Sequence, residues 1–379
     1  MGSLHALAVL AIVVATTSVS AEAVVESSES CSACHRTIHE TWKQSAHARS
    51  LEDEIFLQSF RETEATQGRK LALLCLGCHA PLVAINGDVD LEQRVTWEGV
   101  SCEVCHSLVS VNVSGSGPRR VLEPGPVKRG PVADAPADAH EVAYSELHTK
   151  SEACAWCHEY ANPKGVRVLS TFSEWKVSEA ASNGKTCQSC HMGATMTDVV
   201  EPRAERVAGA SINLHRVPGG HSLDQLHKAL GLGIRPWRDG DALDVEITIR
   251  NKGAGHAVPT GMPGRRVILE VEIKAGTGAS FSERRVYEKT FVDGTGRPVT
   301  RDRDYFTAGV EMRADTRIGP DEHRIESFRF PIPPDQTAYL TVRLHYEHSP
   351  MGNEEGRTWS TFFSEKRTIA AAPGAPPGS

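Results

Sequence analysis

All ten cysteines of the 379-residue chain lie in five Cys-x-x-Cys-His peptides. In such a peptide the two thiols add to the vinyl groups of one porphyrin, and the histidine that follows is held against the iron as an axial ligand. We therefore predict five covalently attached haem c groups. The residues that would bind them are Cys31, Cys34, His35, Cys75, Cys78, His79, Cys102, Cys105, His106, Cys154, Cys157, His158, Cys187, Cys190 and His191.

Three other uses of paired cysteines fit this pattern less well. A disulfide framework gives no reason for a histidine after every second cysteine. Structural zinc uses two Cys-x-x-Cys pairs for one four-cysteine site, and five pairs leave a remainder. A thioredoxin-like redox pair needs a single motif beside a βαβ unit. The spacing therefore favours haem.

Five low-spin haems need five further axial ligands, and imidazole is a strong ligand for haem iron. Among the histidines outside the motifs, we favour those that lie near a predicted helix start or in a Gly/Pro-rich turn. These are His47, His140, His215 and His256, and His148 competes with His140 for a fifth place. A ligand at His256 would also clamp the C-terminal part of the chain to the haem region.

The first residues resemble a secretory signal peptide. An apolar run from Leu4 to Val19 is followed by small residues, which predicts cleavage after Ala21. The run is shorter than the roughly 20 strongly apolar residues of a membrane span. We expect export to the periplasm or the extracellular space, where haem is attached, and no stable membrane span in the mature protein.

Composition divides the remaining chain near residue 230, because every cysteine lies before that point. We predict an α+β protein with a pentahaem cytochrome c domain of short helices and long irregular loops over 22–230. An antiparallel, immunoglobulin-like β-sandwich should follow over 231–369, and the Ala/Pro/Gly-rich residues 370–379 should be a disordered tail. The haem region has few apolar stripes, so we expect porphyrins to form its core and the apo-chain to fold poorly.

Apolar periodicity predicts one helix over 50–74, whereas the Pro- and Gly-rich stretch 112–138 predicts an irregular connection. After residue 240 the apolar period changes to two, which is typical of strands. The predicted strands cover 243–250, 267–273, 285–292, 324–330, 339–345 and 359–363.

Three flanking segments carry a family resemblance: WKQSAH at 42–47, GVS at 99–101 and LHRVPGG at 214–220. With the motifs, they resemble the multihaem cytochromes c related to the tetrahaem electron carrier of nitrifying bacteria. The segment NKGAGHAVPTG at 251–261 is similar to the opening of the β-domain that often follows such haem domains. The resemblance implies electron transfer and supports His47, His215 and His256 as ligands; the fifth haem and the β-domain depart from the tetrahaem pattern.

The net charge of −7, to which haem propionates would add, predicts an acidic surface. Such a surface disfavours nucleic acid and favours redox-partner proteins with basic patches, such as other cytochromes or quinol-oxidising complexes. The sequence allows a homo-oligomer. The favoured function is an electron relay through closely packed bis-His haems. The alternative is an oxidoreductase that acts on a small nitrogen or sulfur compound at one open haem, although all five motifs end in His, unlike the Lys-terminated catalytic motif of nitrite-reductase relatives.

Overall fold

The computed structural model describes residues 25–113, 119–135, 137–162, 164–196, 199–200, 211–307, 310–353 and 357–372. The predicted signal peptide at 1–21 and the end of the predicted tail, 373–379, lie outside them. Ala372, near the start of that tail, donates its N–H to Pro334 O at 2.7 Å. In the described part of the chain, no helix has the length and apolar character needed to cross a membrane.

The first part of the chain is helical, with short segments. Its elements are α1 (Ser28–Cys31), α2 (Arg36–Lys43), α3 (Glu54–Gln67), α4 (Arg69–His79), α5 (Val83–Asn86), a 3₁₀ helix (Arg94–Glu98) and α6 (Cys102–His106). The single helix predicted over 50–74 is thus two helices. Gly68 separates them: its backbone has a φ of +88°, which ends α3. Residues other than glycine rarely adopt this backbone conformation.

The middle of the chain alternates small strand pairs with short helices. The elements are β1 (Leu108–Asn112), β2 (Arg119–Leu122), β3 (Val127–Gly130), β4 (Glu141–Tyr144), a 3₁₀ helix (Glu146–Thr149), α7 (Glu152–His158), β5 (Glu159–Ala161), β6 (Arg167–Ser170), α8 (Thr171–Lys176), α9 (Glu179–Ser182), α10 (Cys187–His191), β7 (Ala194–Thr195), β8 (Ile212–Asn213) and α11 (Leu223–Ala229). The connection predicted to be irregular therefore contains β2 and β3, which pair with β1 and β4 respectively.

The C-terminal part consists mainly of longer strands. They are β9 (Leu230–Asp239), β10 (Ala242–Asn251), β11 (Arg265–Ala275), β12 (Ser280–Val292), β13 (Pro298–Val299), helix α12 (Asp302–Thr307), β14 (Glu311–Asp315), β15 (His323–Phe330), β16 (Ala338–His348) and β17 (Thr358–Ile369). The six predicted strands are present. Strand β9 was not predicted because Gly231, Gly233 and Pro236 weaken its strand pattern.

These strands form two antiparallel sheets, so the chain has the predicted α+β class. One sheet has the order β15-β10-β9; the other has six strands in the order β13-β12-β11-β16-β17, with β14 paired to β12. Alternate side chains of β10, β11, β15 and β16 meet in one buried cluster that includes Val245, Leu269, Phe328 and Val342. The two sheets therefore pack across a shared apolar core.

The helical and sheet parts touch through α3 and α12 and through β6 and β12. Arg303 of α12 pairs with Glu62 of α3 at 2.6 Å. Val168 of β6 packs in one buried cluster with Phe291 of β12 and Tyr305 of α12. These contacts hold the sheet part against α3 and β6.

Candidate haem-binding site

Four of the five motifs lie at the C-terminal ends of helices. Helices α4, α6, α7 and α10 each end at the histidine of a motif. Residues i, i+3 and i+4 of a helix lie on one face, so both thiols and the imidazole of a motif point to the same side. In the first motif Cys31 ends α1, and His35 directly precedes α2.

One cavity of about 2610 Å³ is lined by all ten motif cysteines and all five motif histidines. A site for one drug-sized ligand usually measures about 300–1,000 Å³, so this cavity has room for several porphyrins. Apolar side chains also line it: Leu74 is 56% exposed and Val132 is 50% exposed. The thiol pairs, the imidazoles and the apolar lining together fit covalently bound haem.

The thiols of neighbouring motifs lie close together. Cys31 and Cys102, Cys78 and Cys157, and Cys154 and Cys187 are near enough to shift one another's pKa. The first motif therefore lies beside the third, and the fourth lies beside both the second and the fifth. Groups bound at these motifs would be close together.

Backbone carbonyl groups orient several of the motif histidines. The Nδ1–H groups of His35, His79 and His106 donate to the carbonyl oxygens of Val199, Ser50 and Arg129 at 2.7, 2.8 and 2.6 Å. Histidines that bind a metal usually donate a hydrogen bond from the N–H of the other ring nitrogen. Here that group is Nδ1–H, so the tautomer is fixed and Nε2 is left for the metal.

Four motif histidines each face a second histidine. Two imidazoles on opposite sides of one metal, each about 2 Å from it, hold their ring centroids roughly 6 Å apart. The structure shows this spacing in His35–His140 at 6.2 Å, His47–His158 at 6.3 Å, His106–His215 at 6.2 Å and His191–His256 at 6.3 Å. Each of the four favoured histidines thus lies opposite a different motif.

His148 lies near the third motif, as His215 does, but its ring is directed differently. Its ring centroid is 5.8 Å from that of His106, and its Nε2–H donates to Cys105 O at 2.9 Å. The Nδ1–H of His215 instead donates to Asn213 O at 2.9 Å, which leaves Nε2 available. The two histidines thus differ in which ring nitrogen a backbone carbonyl engages: Nε2 in His148 and Nδ1 in His215.

The second motif differs from the others. In the described part of the chain, the ring contact of His79 is with Phe56, which stacks on it with centroids 3.8 Å apart and planes 10° apart. The sequence does not reveal this contact, because Phe56 follows the apolar period of α3 like an ordinary packing residue. No histidine faces His79 at the spacing of the other four pairs among the described residues.

Burial keeps four of the paired histidines neutral near pH 7. It is the largest cause that lowers the pKa of His47, His106 and His191 to about 4 and that of His158 to about 3, and neighbouring histidines lower these values further. The neutral imidazole is the form that binds metal ions.

Comparisons with known proteins agree with this site. Residues 30–107 match the family described as "Cytochrome c554 and c-prime". Cytochrome c-554 of Nitrosomonas europaea is 33% identical over 98 residues, which are 24% of this chain and 40% of that protein. The chain thus matches less than half the length of this relative.

The fold is also similar to a crystal structure of a penta-heme cytochrome c552 from Thermochromatium tepidum. The TM-score is 0.72 at 22% sequence identity, and the match covers 91% of this chain and 99% of that chain. Fold, motifs and matches together define the class: the chain is a multihaem c-type cytochrome. Its first three motifs lie in the segment that is similar to the cytochrome c554 family.

Proposed function

We propose that this chain carries five haem c groups and relays electrons between redox-partner proteins, such as other cytochromes or quinol-oxidising complexes. Bound haem supplies reversible one-electron chemistry. The observation that carries the proposal is the set of four histidine pairs with ring centroids 6.2–6.3 Å apart. Such pairs give both axial positions of an iron to imidazole, which suits electron transfer and leaves no position for a substrate.

The chain's own residues would hold these groups rigidly. The motif thiols would form the thioether bonds, and His35, His79, His106, His158 and His191 would be the proximal ligands. His140, His47, His215 and His256 would be the distal ligands at the first, fourth, third and fifth motifs. His148 would orient the third motif through Cys105 O instead of binding iron.

The first test counts the haems and their open positions. We expect the intact mass of the purified protein to exceed that of the polypeptide by five haem masses. The ferrous protein should bind one carbon monoxide molecule, at the haem of His79, because that motif has no facing histidine among the described residues. A mass increase of four haems or fewer, or binding of two or more carbon monoxide molecules, would contradict the proposed ligand set.

The second test uses two histidines that flank the same motif. His215→Ala should open one further haem, so that carbon monoxide binding rises from one to two per protein. His148→Ala is the matched control and should leave one. The opposite outcome would make His148 the ligand of the third haem.

A second candidate function is an oxidoreductase that acts on a small nitrogen or sulfur compound. It is favoured by the second motif, because among the described residues no histidine faces His79 at the spacing of the other four pairs. Nitrite, hydroxylamine and sulfite should be offered to the protein with an artificial electron donor or acceptor. Sustained turnover of any of these compounds would favour the enzyme. The relay would be favoured if the compounds bind without turnover and the protein exchanges electrons rapidly with another cytochrome.

We further propose that the protein is exported to the periplasm or beyond after cleavage behind Ala21, which N-terminal sequencing of the purified protein would test. We also propose that a domain boundary lies at residue 230 and that the two sheets form an immunoglobulin-like sandwich. Self-association into a homo-oligomer can be measured by analytical ultracentrifugation.

A further inference from the structure

A carboxylate from the helical part enters the loop that carries His256. Glu174 lies on α8, and its Oε2 accepts hydrogen bonds from the N–H of Ala257 at 3.1 Å and the hydroxyl of Thr260 at 3.0 Å. A second contact joins the same elements, because the hydroxyls of Thr171 and Thr260 lie 2.9 Å apart. The main chain directly after His256 is thereby tied to α8.

The other oxygen of Glu174 is bound from the sheet part. Arg317, which is only 8% exposed, donates from Nη2 to Glu174 Oε1 at 2.7 Å and to Asp315 Oδ2 at 2.7 Å. Its Nη1 donates to the carbonyl of Pro259 at 3.3 Å, within the same loop. One buried guanidinium thus joins the loop, the strand end and the helix.

Glu174 is ionised in this setting. Burial by itself raises the pKa of the carboxyl group, but the charge of Arg317 and hydrogen bonds from Ser170, Arg317 and Ala257 outweigh burial, so that the net pKa is lowered. A buried ion pair that loses one partner leaves an uncompensated charge, which is strongly unfavourable. The contact therefore tolerates little movement of the loop.

Packing restricts the loop on the other side of His256. A Cβ atom at Gly255 would lie 2.9 Å from Ala180 Cβ and 3.2 Å from Trp175 Cδ1, so the loop backbone is seated directly on α8 and α9. The side chain of Asn251 donates to His256 O at 2.9 Å from the β10 side. Both peptide groups of His256 are consequently constrained, and its ring lies 6.3 Å from that of His191.

We propose that Glu174 and Arg317 are positioning residues for His256: their buried ion pair fixes the sheet part of the molecule on α8, so that His256 faces His191 at the spacing of an axial ligand. This inference rests on the proposed ligand role of His256. Neither side chain lines the cavity that the five motifs share, so the pair would act through the backbone of the loop. A merely structural role would affect unfolding without affecting the fifth motif selectively.

The test measures carbon monoxide binding and haem content of the full haem-loaded protein. His256→Ala is the reference and should raise carbon monoxide binding from one to two per protein. Glu174→Gln removes the charge but keeps the shape, and should also give two, with five haem masses still attached. Free imidazole should make the additional open haem of both variants low-spin, since it can take the vacated axial position.

Glu179→Gln is the matched control. Glu179 is an exposed carboxylate on the neighbouring helix α9, and its Oε1 accepts a hydrogen bond at 3.4 Å from Asn183, the residue that follows this helix. This variant should bind one carbon monoxide molecule. If Glu174→Gln does not fold, Arg317→Lys and Thr260→Val weaken the same contact more mildly, and partial opening of the fifth haem in either would support the proposal.

Two negative outcomes can be separated. If His256→Ala opens a haem but Glu174→Gln, Arg317→Lys and Thr260→Val only lower the melting temperature, the positioning role is wrong and the ligand role stands. If His256→Ala opens no haem, the proposed ligand role fails and the positioning role fails with it.

Discussion

The helical and sheet parts of this chain obtain a core in different ways. In the sheet part, buried side chains from both sheets form one large cluster that includes Leu243, Ile273 and Phe330. In the helical part, the buried clusters around Leu76 and Val104 are small, and the motif residues surround a cavity of about 2610 Å³. A region with many fully buried apolar residues can stabilise itself, whereas a region built around a cavity needs its prosthetic groups to exclude water.

The largest test of this comparison removes the haems. In a variant with all ten motif cysteines changed to serine, we expect peptides from 54–106 to exchange their amide hydrogens rapidly, because the haems no longer fill the cavity. Peptides from β10, β11 and β16 should remain protected, since their core consists of side chains. Hydrogen exchange followed by mass spectrometry measures both regions in one sample. Equal protection of 54–106 with and without haem would contradict the comparison.

A core truncation in the sheet part should have the next largest effect. Leu269 is fully buried on β11, and Leu269→Ala should lower the free energy of unfolding of the sheet part by about 2–5 kcal/mol, with the haem spectrum unchanged. Leu223→Ala is the control, because Leu223 is 47% exposed and surface changes usually stay within about 0.5 kcal/mol. Both variants are titrated with denaturant. Tryptophan fluorescence reports the free energy of unfolding, and haem absorbance reports the haem spectrum. A spectral shift in the Leu269 variant would show that the two cores are coupled.

A comparison of two glycines in the helical part distinguishes the effect of backbone strain from the effect of a contact with the segment that carries His47. Gly99 has φ +63°, and a Cβ there would lie 2.7 Å from His47 O and also meet Ser50. Gly99→Ala should displace His47 from His158 and open the fourth haem to carbon monoxide. Gly68→Ala has similar strain at φ +88° with open space around it, so it should cost about 1–3 kcal/mol without opening a haem. If the two variants bind the same amount of carbon monoxide, the contact between residue 99 and His47 does not control the position of His47.

The smallest expected effect concerns the charges of the sheet part. Burial raises the pKa of Glu270, but hydrogen bonds from Arg284 and Arg343 outweigh it, so the folded pKa lies below the ordinary 4.5. Ionised Glu270 therefore stabilises the fold above pH 4.5, and this contribution is lost as pH falls through the lowered pKa. The free energy of unfolding of wild type and Glu270→Gln, measured against pH, should converge in acid.

Two other groups bear on this pH test. His345 lies 3.5 Å from Glu270, and burial lowers the pKa of its imidazole, so it stays uncharged until the solution is acidic. Glu283→Gln is the control, because Glu283 is exposed and pairs with Arg285 at 3.4 Å in solvent. A constant difference between wild type and Glu270→Gln at every pH would contradict the assignment.

The sequence alone determined the chemistry of this protein and much of its secondary structure. Cys-x-x-Cys-His has one common use when it is repeated, and a helix places its three functional groups on one face. The alternation in 243–250 similarly predicted β10, since period two matches a strand with one buried face. These signals are local, so they can be recognised without knowledge of the fold.

Tertiary structure decided which groups meet. His47 faces His158 and His191 faces His256 across large separations in the chain, and local sequence carries no information about such partners. The sequence left His148 and His140 as competitors, and the structure places the ring of His140 6.2 Å from that of His35, whereas the Nε2–H of His148 donates to Cys105 O. Likewise, Glu174 and Arg317 form a buried pair only because α8 packs against the loop that carries His256. Contacts between distant segments follow from packing, and packing is settled by the whole chain at once.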